Sequence, residues 1–367
     1  YLYTSIKLTS VSLFESNKSM SYTIKITKIE KSKVDELDFD NIPLGKTYTD
    51  YMFICDYKKG KWINPRIEPL GDLVTHPATM AIHYGQSIFE GMKATLNANG
   101  EPMLFRPEKN ATRFNFSANR MGMPDFPEDL FVDALKQFVD LERNWIPSQE
   151  GSALYLRPFM YANEFFIGMR AATQYKFVII ASPTGPYFNR RIKLFSETKY
   201  IRAAQGGTGE AKVAGNYAAA IKPTEIAKAK GYDQVLWLDA QNFKYIQEAG
   251  TMNLFFKIGN EIITPNLDGA ILSGITRMSV IQLLKDKCYK ITERPITIEE
   301  IIEASNNGTL KEAFGTGTAV GIAMIEEIKY KEITIKMPPE NPVAQMISET
   351  LNGFKTGVIE DKFNWMQ

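Results

Sequence analysis

Residues 206–217 read GGTGEAKVAGNY, a run in which small residues surround a single lysine, Lys212. A lysine whose task is solvation needs no such clearing. Glycines let a backbone approach a flat group closely, and Asn216-Tyr217 opens a helix-like run with a phenol one turn from the amine. An amine in a restricted, partly desolvated site is how a protein prepares a lysine for Schiff-base chemistry. The competing reading is a surface lysine in a glycine loop. A phosphate-binding GxxxxGK(S/T) loop is excluded, because Ala211 precedes the lysine and Val213 follows it.

Glu248 is the one charge in IQEAGTMN, between two expected strands. It reads either as a turn carboxylate or as the acidic partner that keeps a pyridine nitrogen protonated. Phosphate donors are offered by Ser273-Gly274-Ile275-Thr276, entering a helix whose first amides attract anions. Gly315-Thr316-Gly317-Thr318-Ala319 offers a second glycine turn. With Gly321 it also matches the GxGxxxG of a dinucleotide site, a weak signal because strand follows it. Arg113, in FRPEKNATRF, is either a solvated helix residue or a charged clamp on phosphate. Arg157, in LYLRP beside Tyr155, sits in an apolar strand and needs an anion there. A structural carboxylate and a substrate carboxylate both answer that need. Tyr84 and Phe89 supply aromatic surface from an earlier segment.

These groups must be positioned by a chain of 367 residues, 44% apolar, which is long enough for two domains or one large one. Net charge of +1 argues against a general electrostatic footprint for nucleic acid or anionic membrane. Two histidines and two distant cysteines, Cys55 and Cys288, argue against a metal cluster and a disulfide framework, and fit a reducing compartment such as the cytoplasm. No apolar run approaches the roughly 20 residues that span a bilayer. Residues 1–19 read as a disordered extension ahead of Met20. Helical spacing starts at Pro127, at Ser273 and after the capping box Thr297-Ile298-Glu299-Glu300. Strands are expected over 153–160, 176–181 and 234–238, a hairpin turning at Gly259-Asn260, and a strand–turn–strand over 312–325. Strands and helices do not alternate regularly, which favours an α+β class with mixed sheets over a doubly wound sheet. Turn residues place a linker at 184–191, between an N-terminal domain (20–183) and a C-terminal domain (192–367) that carries Lys212.

The motifs GKTYTDYM, HYGQSIFEGMKA, LFRPEKNATRF, LYLRP, GGTGEAKVAGNYAAA, QEAGTMNLFF, LSGITR and FGTGTA, in this order from about Gly45 onward, resemble branched-chain amino acid aminotransferases. The resemblance implies a two-domain, fold-type IV enzyme, D-amino acid aminotransferase-like, with flanking helices. It implies pyridoxal 5'-phosphate as cofactor, a homodimer, and branched-chain amino acids, glutamate and 2-oxo acids as substrates. By the same resemblance Lys212 is the Schiff-base lysine, Tyr217 meets the ring hydroxyl and Glu248 the ring nitrogen. Arg113, Ile275, Thr276 and Thr318 fall on phosphate contacts. Tyr84, Phe89, Tyr155, Arg157, Thr251 and Ala319 fall on the substrate site. Two departures stand out. The redox CxxC that some mammalian relatives carry is replaced by Val320-Gly321-Ile322-Ala323, and Pro186 enters the linker. D-amino acid aminotransferases and aminodeoxychorismate lyases share the lysine and glutamate logic, but EGMKA, LYLRP and EAGTMN favour the branched-chain group. A non-catalytic binding protein on this scaffold is the further alternative, and intact Lys212, Tyr217 and Glu248 argue against it.

Overall fold

A computed structural model describes residues 22–42 and 45–367, so the extension expected over 1–19 lies outside the described residues. Two sheets organise the chain. The first has eight strands, in the order Lys25–Ile26, Lys61–Pro69, Tyr51–Lys58, Tyr175–Thr184, Ala153–Ala162, Met92–Leu96 and Pro102–Leu104, with Ser87–Phe89 pairing alongside Ala153–Ala162. Only the short outermost pair is parallel. Alternation sets its faces. In ALYLRPFMYA, Leu154, Leu156 and Met160 point into a core packed against the helices Pro107–Arg120 and Glu128–Leu141, while Tyr155 and Arg157 point the other way. Phe114 of the first helix meets the Phe177 ring edge-on, Phe131 of the second packs against it at 5.7 Å, and Phe126 from the connection between them stacks on it, which binds both helices to the sheet.

The second sheet has nine strands and closes on itself. Ile246–Ala249, Gln234–Leu238, Ile192–Ser196, Gly321–Tyr330, Leu310–Gly317 and Met252–Ile258 follow one another, and the last pairs back to the first. Closure removes the edges from this six-strand ring. Ile192–Ser196 and Gln234–Leu238 are parallel neighbours, and parallel strands need a long crossover. That crossover is the loop 197–213 followed by the helix Ala214–Ala229, so the Lys212 loop is a by-product of the topology. The chain passes from one sheet to the other between Thr184 and Ile192.

Mixed sheets with flanking helices are what the irregular order of elements predicts. The hairpin turns at Gly259-Asn260 between Met252–Ile258 and Glu261–Thr264, and Thr297 caps its helix by accepting the Glu300 N–H. Two readings need correction. Glu248 lies inside the strand Ile246–Ala249, and the turn falls after it at Gly250-Thr251. The Gly315/Gly317/Gly321 pattern is a β-hairpin with Gly317 opposite Gly321, which leaves no helix N-terminus for a dinucleotide. Among the described residues, no helix is long and apolar enough to cross a membrane.

Candidate active site

A cavity of about 750 Å³ lies where the two sheets and the crossover meet. Lys212 reaches it because Ala211 and Val213, on either side, are buried in the core of the first sheet, with Val213 bridged to Ile88. The Lys212 backbone is held twice from the N-terminal half. Its N–H donates to Ser117 Oγ (2.9 Å), and its carbonyl accepts from the Phe89 N–H (3.1 Å). Its ammonium donates to Tyr217 Oη at 2.7 Å and lies 4.8 Å from the centre of the Phe89 ring.

The glycines around Lys212 have a different use from the one their composition suggests. A Cβ on Gly209 would collide with the Ala270 carbonyl and the Ala203 methyl, so Gly209 packs loop against loop; beside Gly206 and Gly215 the space is open. Asn216 finishes the loop by donating to the carbonyls of Thr208 (2.8 Å) and Ala211 (2.9 Å).

Glu248 is buried and lines a small adjoining cavity that shares Tyr217, Thr251 and Leu272 with the large one. Its Oε1 accepts the Leu272 N–H at 2.7 Å, and Arg202 Nε sits 3.1 Å from its Oε2. Burial pushes its carboxyl above the ordinary range, while Arg202, the Leu272 N–H and Lys212 pull the other way.

The anion end is formed by the helix Ile275–Asp286, entered through an extended Gly274 with no side-chain cap. Its first amides are therefore open to a ligand. Ile275, Thr276 and Thr318 line the cavity here, as does Thr316, whose buried Oγ1 has no hydrogen-bond partner. A Cβ on Gly274 would strike Asn253 Oδ1, so a larger residue there would displace the Asn253 side chain that donates to the Leu272 carbonyl. Arg113 is buried, contrary to a solvated helix face. Its Nε and Nη2 donate to Glu90 Oε1 (2.8 Å) and Oε2 (2.7 Å), and Nη1 donates to the Ser273 carbonyl (3.1 Å). A guanidinium has five N–H groups, so two remain for an anion.

Arg157, Tyr155, Phe89, Thr251 and Ala319 line the same cavity. Among the described residues no carboxylate pairs with Arg157. Its Nη2 donates to Tyr155 Oη (3.0 Å), its guanidinium lies 4.5 Å over the Phe89 ring, and its buried Nε is unpartnered. Tyr155 can swing close because Gly91 has no Cβ to strike its hydroxyl. Tyr84 is the one candidate outside both cavities. It ends the short helix Met80–Tyr84 and is 41% exposed.

Glu90, Arg202, Ser117, Asn216, Asn253 and Lys93 were given no site role by the sequence reading. Glu90 carried a signal, a lone charge in SIFEGM open to the argument applied to Arg157. Lys93, in the adjoining GMKA, donates to the Ala319 carbonyl across the cavity rim (2.8 Å). Arg202 and Ser117 carried none, because their partners lie 46 and 95 residues away.

Residues 87–328 match the family model described as amino-transferase class IV. The chain is 43% identical over 348 residues to branched-chain-amino-acid aminotransferase 2 of Bacillus subtilis (strain 168), covering 93% of this chain and 95% of that one. Its structure is similar to the branched-chain aminotransferase of Thermoproteus uzoniensis solved with norvaline, at TM-score 0.72 and 25% identity over 86% of this chain and 99% of that one. It is also similar to a T.th. branched-chain amino acid aminotransferase complexed with N-(5'-phosphopyridoxyl)-L-glutamate, at TM-score 0.69 and 25% identity, covering 85% and 97%. The chain belongs to the class IV aminotransferases and, within them, to the branched-chain-amino-acid aminotransferases.

Proposed function

We propose that this aminotransferase holds pyridoxal 5'-phosphate on Lys212 and moves an amino group reversibly between leucine, isoleucine or valine and 2-oxoglutarate. The observation that carries the reading is the 2.7 Å contact of Lys212 Nζ with Tyr217 Oη, inside a cavity that also takes in the open first turn of the helix Ile275–Asp286. The residues fit the cofactor. The orphaned Thr316 Oγ1, the two unused Arg113 donors and the helix amides make up a phosphate's donor set, with Thr318 beside them. When bound, the cofactor accepts the electron pair left as the substrate α-proton departs.

The chain's own residues do the rest. Lys212 Nζ takes the α-proton and returns it, as general base and then acid. Tyr217 Oη, 2.7 Å away, holds that amine in place and offers a hydroxyl to the cofactor ring. Glu248 keeps a proton on the ring nitrogen. Phe89, Tyr155, Thr251 and Ala319 give the side-chain pocket an apolar wall with a hydroxyl rim. Arg157 supplies the charge that the distal carboxylate of glutamate or 2-oxoglutarate requires.

The assembly and setting extend the same reading. Residues 20–183 and 192–367 act as two domains joined by 184–191. Segments 74–84 and 164–169 are joined by Met80 N–H to Glu164 O and Phe166 N–H to Ala78 O, both 3.0 Å. Together they expose Val74 (95%), Ile167 (71%) and Met169 (96%). An apolar face of this kind supports a homodimer. Tyr84 stands on it, so its substrate role is exerted across the dimer. Both cysteines are free, one buried and one exposed, which suits a reducing cytoplasm.

The test is Lys212→Ala. We expect a folded protein that forms no 2-oxo acid from leucine and lacks the lysine-dependent visible absorbance on adding pyridoxal phosphate. Near-normal turnover would overturn the assignment.

A further inference from the structure

Arg202 is almost fully buried, and among the described residues its polar partners lie in the candidate site or on the loops that build it. Its Nη2 donates to the Gly209 carbonyl (3.1 Å), in the loop ahead of Lys212, and to the Ala270 carbonyl, in the loop that leads to the helix Ile275–Asp286. Its Nε lies 3.1 Å from Glu248 Oε2, placed for charge contact but without the alignment of a hydrogen bond. Lys212 and Asp268 act on the same carboxyl more weakly than Arg202 does. Among the described residues, Arg202 is thus the cation in direct contact with this carboxylate.

Given the cofactor reading above, Glu248 and the ring nitrogen share one proton with two homes. On the carboxyl it leaves two neutral groups; on the nitrogen it leaves a carboxylate and a pyridinium. Burial favours the neutral arrangement, because separated charges are poorly solvated inside a protein. A cation touching the carboxylate opposes that preference, since it lies nearer to the negative partner than to the positive one. We infer that Arg202 is a positioning residue that keeps Glu248 ionised, and so fixes the shared proton on the cofactor nitrogen. Without it the glutamate would still occupy its place, held by the Leu272 N–H, but as a neutral acid.

The experiment compares Arg202→Met, Arg202→Gln and Arg202→Lys, each loaded with pyridoxal phosphate labelled with 15N in the ring. Nitrogen chemical shift reads ring protonation directly. We expect a protonated nitrogen in the parent enzyme and in Arg202→Lys, and a largely unprotonated one in Arg202→Met and Arg202→Gln. Turnover of Arg202→Met should fall toward that of Glu248→Gln, and the double variant should be no slower than Glu248→Gln alone, because the arginine acts only through the glutamate. Arg202 also staples two loops, so Arg202→Met risks folding poorly. The lysine–glutamine pair then decides, because both retain donors and only lysine retains charge. A nitrogen equally protonated in both, or losses that multiply in the double variant, would overturn the inference. If the parent enzyme shows no Lys212-dependent binding of pyridoxal phosphate, the cofactor reading itself fails, which is a separate result.

Discussion

Replacing Arg157 by methionine should separate the two half-reactions. The side chain has one hydrogen bond, to Tyr155 Oη, two aromatic rings against it (Phe89 at 4.5 Å and Tyr155 at 5.3 Å) and a buried Nε with no partner. A charge-assisted contact to a distal carboxylate is worth about 1.5–3 kcal/mol, and each 1.4 kcal/mol is tenfold in rate. The step with 2-oxoglutarate should therefore slow by roughly 10- to 150-fold. Methionine keeps contact with the Phe89 ring, and any lost cation–π attraction, about 0.5–2 kcal/mol, falls on both substrates alike. Leucine, with no second carboxylate, should lose only that common part. Stability should hold, because no described carboxylate is stranded when the guanidinium leaves. The assay is single-turnover absorbance, with leucine on the pyridoxal form and 2-oxoglutarate on the pyridoxamine form, beside a melting curve. Equal losses in both half-reactions would refute the substrate role, and a clear fall in melting temperature would refute the claim that Arg157 has no structural counter-ion.

Two further outcomes can be checked on the same material. Glu248→Gln should retain cofactor, because the phosphate donors are untouched, yet slow turnover by about 10²–10³, the usual effect of removing one preorganised electrostatic partner; calorimetric affinity and kcat measured together test this, and cofactor loss with near-normal kcat would contradict it. Buried Glu142, which accepts the Tyr51 N–H at 2.6 Å, is pushed up to about 7 by desolvation. With its pKa raised on folding, the native state binds the extra proton between the ordinary carboxyl range and about 7, so this contribution is full at low pH and is lost as pH rises through that window. Melting temperature measured from pH 5 to 8 should therefore fall more in the parent enzyme than in Glu142→Gln, and parallel curves would reject the assignment.

The sequence by itself determined the elements and most of the chemistry they carry. Alternation in ALYLRPFMYA puts Tyr155 and Arg157 on the face away from the core, because successive strand residues point to opposite sides. The small residues around Lys212, the Ser-Gly-Ile-Thr helix entry and the lone Glu248 each announced a chemical task through residue type and local spacing. Tertiary structure decided what those groups touch. Glu90 locks Arg113 from 23 residues away, Ser117 holds the Lys212 N–H from 95, and Arg202, on the crossover loop, meets Glu248 from 46. Nor could the sequence tell a glycine that clears room for a ligand from one that clears room for another loop, and Gly209 is the second kind. Tyr84 looked like its aromatic neighbours in the string yet faces outward from the end of a short helix. The division has one physical cause. Local propensity and periodicity act over a few residues and are written in order, whereas a buried charge is defined by its counter-charge, whose distance is fixed by sheet closure and crossover path.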